Sequence, residues 1–321
     1  MPLKKLLKKI KEKTMIRTRC IKLCKVFKES VFSYFFRPAI VFGEWIKAYY
    51  YYITNPSKNI FYIITSLYNV GEDVIQSLNS VYNQNYNREL IHHIVINDAS
   101  TDNTHQIIQQ WMANHHGHSV EYYKNNNNIG GSANNIRGFR MAKPFSIVIE
   151  LNGDDWLPDS NVLKFLNMIY CNNNIWMTNN TVFFSTGKRV DWSKPVPRRI
   201  IENNKLREHT WNFSALHSFR SELFTHVNDN SLVDPKTGKY WDSAWDQSHY
   251  LPMFEMAGTH NIHIERTMYV YNRSDKSEGI KRKDHQTDCM HRIRQLPKYN
   301  PIEKLVWNNN LAYNRSDYGQ D

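Results

Sequence analysis

Cysteine is scarce in this chain: four residues in 321, Cys20, Cys24, Cys171 and Cys289, none in a CxxC spacing. That excludes a disulfide scaffold and a zinc ribbon. Cys20 and Cys24 fall one helical turn apart, where a bridge is unfavourable, and a reducing compartment is expected. Long apolar runs are missing too. Arg37 and Pro38 interrupt the apolar stretch 31–46, well short of the roughly 20 clean residues a membrane span needs. No signal peptide accompanies triplets such as Asn212-Phe213-Ser214, so they are discounted as glycosylation sites, and a cytoplasmic, non-secreted protein is expected. No GxGxxG follows the first strand and no GxxxxGK[ST] occurs, which leaves dinucleotide and P-loop readings without support. No internal repeat stands out, and the asparagine run at 125–128 is most simply a loop.

What is present reads as globular. The hydrophobic fraction is 41% and aromatics reach 13%, enough for one large domain or two modest ones. The net charge of +11 is not spread along the chain. Residues 1–28 hold nine Lys and two Arg against one Glu, so that arm alone carries +10. Leu3, Leu6, Leu7 and Ile10 share one helical face there, with lysines on the others. Such a helix can lie peripherally on an anionic membrane, pack its stripe on the body or bind a partner. The implied division is a basic amphipathic arm over 1–55, a catalytic-type domain over 56–290 and a C-terminal tail over 291–321.

From Asn59 a regular alternation begins. Buried-strand candidates are 60–65, 91–96, 120–123 and 147–151. Between them, Val74, Leu78 and Val81, then Ile107, Ile108, Trp111 and Met112, mark helical faces. A strand–helix rhythm of roughly 30 residues predicts an α/β fold with a doubly wound, mainly parallel sheet flanked by helices. Ligands in such sheets bind beyond the carboxyl ends of the strands. Those ends carry Thr65-Ser66-Leu67-Tyr68-Asn69, Asn97-Asp98-Ala99-Ser100 and Asn152-Gly153-Asp154-Asp155. The last is the centre of the argument. Two adjacent carboxylates at the end of a buried strand repel unless a cation compensates, and oxygen ligands suit magnesium or manganese carrying phosphate. Asn-Gly-Asp-Asp is also ordinary turn chemistry. Ser100 or Thr101 is expected to cap the helix that follows, with Asp102 in its first turn; neither role accounts for Asp98 at the strand end.

The first-strand turn 63–69, Ser80 with Gln84, the segment 94–104 and Asn152-Gly153-Asp154-Asp155-Trp156-Leu157 together resemble family 2 glycosyltransferases of the GT-A fold. The likeness covers about residues 59–170 well and runs more loosely to about 290. It implies an inverting glycosyltransferase that moves a sugar from a UDP-sugar to an acceptor hydroxyl. Position by position, Thr65, Tyr68, Asn69 and Asp98 would hold the uridine, with Asn128, Gly153 and Asp155 around the sugar and phosphates. Asp154, Asn152 and His285 would carry Mn2+ or Mg2+. Asn152 replaces a common Asp, so the site has one charge fewer. The loop Asn128-Ile129-Gly130-Gly131 lacks the family's usual Arg further on. The segment 216–224 resembles the family's donor-side segment and, as bare sequence, reads as an amphipathic helix start. Asp246 is the implied general base and Asp242 its competitor; a helix N-terminus accounts for either without catalysis. Lys281, Arg282 and Lys283 could clamp phosphates. Trp176, Trp192, Trp211, Trp241 and Trp245 could stack on acceptor sugars or fill a core. The expected partners are a nucleotide-sugar donor and a glycan, protein or lipid-linked acceptor, with no nucleic acid. A degenerate module that binds without turnover stays open, as does a membrane or nucleic-acid binder driven by the arm.

Overall fold

The computed structural model describes residues 37–115, 120–213, 215–272 and 283–308. The basic arm over 1–28, with Cys20 and Cys24, lies outside the described residues, as do Lys281 and Arg282. By compactness the chain divides into Met1–Lys47 and Ala48–Asp321. Helix α1 (Arg37–Thr54) runs across that division. No helix among the described residues is long and apolar enough to cross a membrane.

Within the larger unit the expected alternation is present. Strand β1 (Phe61–Leu67), helix α2 (Asp73–Tyr82), β2 (Ile91–Asn97), α3 (Thr104–Asn114), β3 (Val120–Lys124), α4 (Gly131–Met141) and β4 (Ile147–Glu150) follow in turn. After α5 (Val162–Tyr170) come β5 (Met177–Phe184), β6 (Ser218–Arg220), α6 (Trp245–Ala257), β7 (Asn261–Tyr271) and α7 (Lys283–Gln295). The seven strands lie in the order β3-β2-β1-β4-β6-β5-β7. The first four pair in parallel and β5 pairs with β7 in parallel, while β6 is antiparallel to both its neighbours.

The sequence dictates the buried strands. β1 and β4 read as continuous apolar runs because helices cover both faces of a parallel sheet. Helix α4 packs on β1 closely enough that a Cβ at Gly138 would fall 2.2 Å from Ile64 Cγ2, so only glycine fits there. A core of Phe139, Phe219, Phe224, Tyr250 and Phe254 joins α4, β6 and α6. Cys289 and Ile293 of α7 are buried in the same core, and Tyr299, Ile302 and Leu305 pack against it.

Two local expectations are corrected. Residues 218–220 form a short internal strand rather than a helix start, because Ser218 and Phe219 find backbone partners on both β4 and β5; only Ser221–Phe224 is helical, and Phe219, Leu223 and Phe224 are core as expected. The cap of α3 is not Ser100 or Thr101. Asp102 accepts from the Thr104 amide at 3.0 Å, while the Ser100 hydroxyl accepts from the Asn69 amide at 3.0 Å and is thereby committed to the neighbouring loop.

Candidate active site

The strand order reverses between β1 and β4, and the polar strand ends gather at that point. The loop after β1 and the loop after β2 are tied together by Asn69. Its side-chain oxygen accepts from the Thr101 amide at 2.8 Å and the Asp102 amide at 3.3 Å. Asn69 and Ala99 both sit at positive φ, 51° and 58°. Asn tolerates that region; for Ala it costs about 1 kcal/mol or more, a strain found mostly at functional turns. Asp98 is 3% exposed and accepts three hydrogen bonds, from Asn125 Nδ2 at 2.8 Å, the Ile129 amide at 2.9 Å and the Gly130 amide at 2.8 Å. Its carboxylate therefore fixes the loop that bears Asn128, which is itself exposed. Thr65 is fully buried with its hydroxyl 2.9 Å from His93 Nε2, whereas Tyr68 is 46% exposed at the strand mouth.

The turn after β4 is built around Asp155. That carboxylate is 1% exposed and accepts from the Tyr269 hydroxyl, from the Asn272 amide at 2.7 Å and from Asn152 Nδ2 at 3.2 Å. Trp156 pairs with Val270, so β7 buttresses the exit of the turn. Gly153 is obligatory: a Cβ there would stand 2.4 Å from Leu67 Cβ. Burial, then the neighbouring Asp154 charge, pushes the Asp155 carboxyl up to about 7. Burial and Asp73 raise Asp154 as well. Two adjacent carboxyls, both raised by burial, gain from a hard divalent cation that offsets their charge, so the oxygen donors here fit magnesium or manganese.

Beside the turn opens a cleft of about 660 Å3. Glu150 and Asn152 lie on its β4 side, Asp242, Trp245 and Asp246 on its α6 side, and Trp192, Trp211 and Lys283 around it. Asp246 stands in the first turn of α6, just after Ala244 at φ 49°. Burial pushes its carboxyl up to about 6, against the pull of His249, and Glu150 raises it further.

Glu150 and its surroundings escaped the sequence reading. It is 8% exposed and accepts from Asn135 Nδ2 at 2.8 Å and from the Tyr250 hydroxyl. His249 Nε2 is 4.0 Å away, and His217 stacks on Tyr250 with ring centroids 3.7 Å apart. Burial would raise Glu150, yet His249, with His217 and Tyr250, outweighs it and holds the carboxyl below its ordinary value. Burial drives His217 down to about 4, against the pull of Glu150. The available signals were a Glu closing an apolar strand and a His three residues after Asp246.

Several expected residues fall elsewhere. His285 Nε2 lies 2.7 Å from Asp242 Oδ1, so the competitor for the base and the late histidine form a pair of their own. Among the described residues, His285 does not cluster with Asp154 and Asp155. Of the five tryptophans, Trp192, Trp211 and Trp245 line the cleft, while Trp176 and Trp241 are buried in the core.

An α/β sheet of this order, with a carboxylate turn at its reversal point, has the GT-A fold. A profile of glycosyl transferase family 2 matches residues 62–230, more than half of the chain, and the protein belongs to that family. An uncharacterized glycosyltransferase of Mycoplasma genitalium, MG025, is 26% identical over 187 residues, 53% of this chain and 59% of that protein. An MG060 homolog of Mycoplasma pneumoniae, also an uncharacterized glycosyltransferase, is 31% identical over 107 residues, 33% of this chain and 36% of its own. The chain thus spans between a third and three fifths of these curated relatives. Among solved structures, S. aureus TarS 1–349 in complex with UDP-GlcNAc matches with a TM-score of 0.51 at 18% identity, over 68% of this chain and 60% of that one. The Pyrobaculum calidifontis mannosyltransferase PcManGT, in complex with GDP-Man and Mn2+, matches with a TM-score of 0.51 at 17% identity, over 77% and 69%.

Proposed function

We propose that this protein transfers a sugar from a UDP-sugar to an acceptor hydroxyl with inversion at the anomeric carbon, with Asp246 as the general base. The observation that carries the reading is Asp246 itself: a carboxyl on the wall of a cleft that also includes Asn152, with its proton affinity pushed up to about 6. A base tuned near working pH is deprotonated when needed and still basic enough to take a hydroxyl proton. The TarS complex with UDP-GlcNAc supports a uridine donor by likeness of fold.

Asp154 and Asn152 would hold the divalent cation, with Asp155 keeping the turn in shape through Tyr269 and Asn272. When bound, that cation neutralises charge gathering on the departing diphosphate. Tyr68, exposed at the mouth of β1, offers a face to the base; Asn69 and Asp98 hold the two loops that frame it. Gly153 lets the turn approach β1. Asn128 is carried on the loop that Asp98 fixes, within reach of the donor side. Lys283 adds a cation to the cleft for the phosphates. Trp192, Trp211 and Trp245 offer aromatic faces to an acceptor sugar, whether free, protein-borne or lipid-linked. A membrane-bound acceptor would suit the basic arm over 1–28.

The test is UDP release in the presence of manganese and a panel of UDP-sugars, followed by the same assay on Asp246→Asn. Metal-dependent release that falls on this substitution supports the reading. UDP binding without any release, to water or acceptor, would favour a non-catalytic module instead.

A further inference from the structure

Asp242, His285 and Cys289 meet on one side of the cleft in an arrangement that sugar transfer does not call for. His285 and Cys289 stand four residues apart on α7, hence on one face, and Asp242 reaches them from the loop before α6. His285 Nε2 is 2.7 Å from Asp242 Oδ1, Cys289 Sγ is 3.6 Å from His285 Nε2, and Sγ is 4.0 Å from Oδ1. A four-coordinate zinc with Zn–S of about 2.3 Å and Zn–N or Zn–O of about 2.0–2.2 Å spaces its ligand atoms by about 3.3–3.7 Å. The two edges to sulfur lie at or near that spacing. The third is a hydrogen bond that an ion would replace and lengthen by about 0.7 Å.

We infer that these three side chains bind a borderline-soft divalent cation of the zinc class, with a water as fourth ligand on the exposed Asp242 side. The donor set decides the class: a thiolate and an imidazole beside a single carboxylate suit zinc and are poor ligands for magnesium or manganese. The site is therefore chemically distinct from the oxygen-only turn at Asn152-Gly153-Asp154-Asp155. Burial raises the Cys289 thiol, and Arg292, whose Nη2 donates to Cys289 Sγ at 3.4 Å and which is itself held by Asp234 and Asp288, is the outer contact that opposes this. Position gives the ion a role. It would join the loop four residues before Asp246 to the helix that brings Lys283, Gln286 and Thr287 to the cleft, fixing one wall of the site. The inference does not rest on the proposed transfer reaction.

The experiment uses the full chain, stripped of metal and then saturated with manganese to occupy the oxygen site. Cobalt(II) is the probe. The expected result is one equivalent of cobalt with a thiolate-to-cobalt charge-transfer band and four-coordinate d–d absorption, displaced by zinc and not by further manganese. Cys289→Ser should abolish the charge-transfer band. His285→Ala and Asp242→Asn should each weaken cobalt binding at least about tenfold, the loss that removal of an outer contact alone produces. His285 is partly exposed on the helix, so its variant remains informative if the buried Cys289 substitution fails to fold. No thiolate band in the parent chain, a band that survives Cys289→Ser, or unchanged affinity in His285→Ala would overturn the inference.

Discussion

The two sides of the cleft handle polar groups in opposite ways. On the β1–β4 side, side chains lock backbone: Asp98 takes the amides of Ile129 and Gly130, Asn69 takes those of Thr101 and Asp102, and Asp155 takes that of Asn272. On the α6–α7 side, charge meets charge in the dark. Arg207 is bidentate to Glu255 at 2.6 and 2.9 Å, both nearly fully buried, and His249 and Tyr250 reach from α6 to Glu150 at the end of β4, near Asp246. The first arrangement shapes loops around a ligand at little electrostatic cost. The second gathers buried charged and polar groups next to Asp246, the proposed base. In the proposed reading, binding and chemistry fall to different sides.

Substitutions can break that division. The largest effect is expected for Asp246→Asn: loss of a general base lowers kcat by about 10²–10⁴-fold, with donor KM little changed, measured by UDP release. Next comes Arg207→Met, which leaves Glu255 charged and buried. It should cost about 3–5 kcal/mol, read as a fall in Tm on the order of 10 °C, with no specific effect on donor binding. Asp154→Asn should lower metal-dependent turnover by on the order of 10²-fold and raise the manganese concentration needed. Asp98→Asn is the smallest. It keeps one acceptor oxygen and sets an NH2 against an N–H donor in place of the other, a loss of about 1–3 kcal/mol, and should appear mainly in donor KM. If Asp98→Asn cut kcat and spared KM, the two sides would not divide the work as described.

Legibility followed the same line. β1, β2 and β4 with their terminal motifs could be read directly, because a buried parallel strand and its polar end are continuous in sequence. The turn residues Asp154 and Asp155 stood out for the same reason, whereas Asp246 was singled out only by the family resemblance. β6 was missed since three residues carry no period and only pairing with β4 and β5 makes them a strand. Glu150 and Tyr250 are 100 positions apart, and Asp242 and His285 are 43 apart; no local pattern announces such pairs. Asp98 was legible as special, but its three partners inside the protein were not.

The pH dependence of UDP release at saturating metal tests the central claim most directly. In the proposed reading a saturating cation would keep Asp154 and Asp155 ionised, which would leave Asp246 as the titrating group. Its carboxyl is raised to about 6, so the competent, deprotonated form is lost as pH falls through that value. The account predicts a plateau above about pH 7 and a tenfold fall per unit below about pH 6. A rate that stays level down to pH 5 would contradict it.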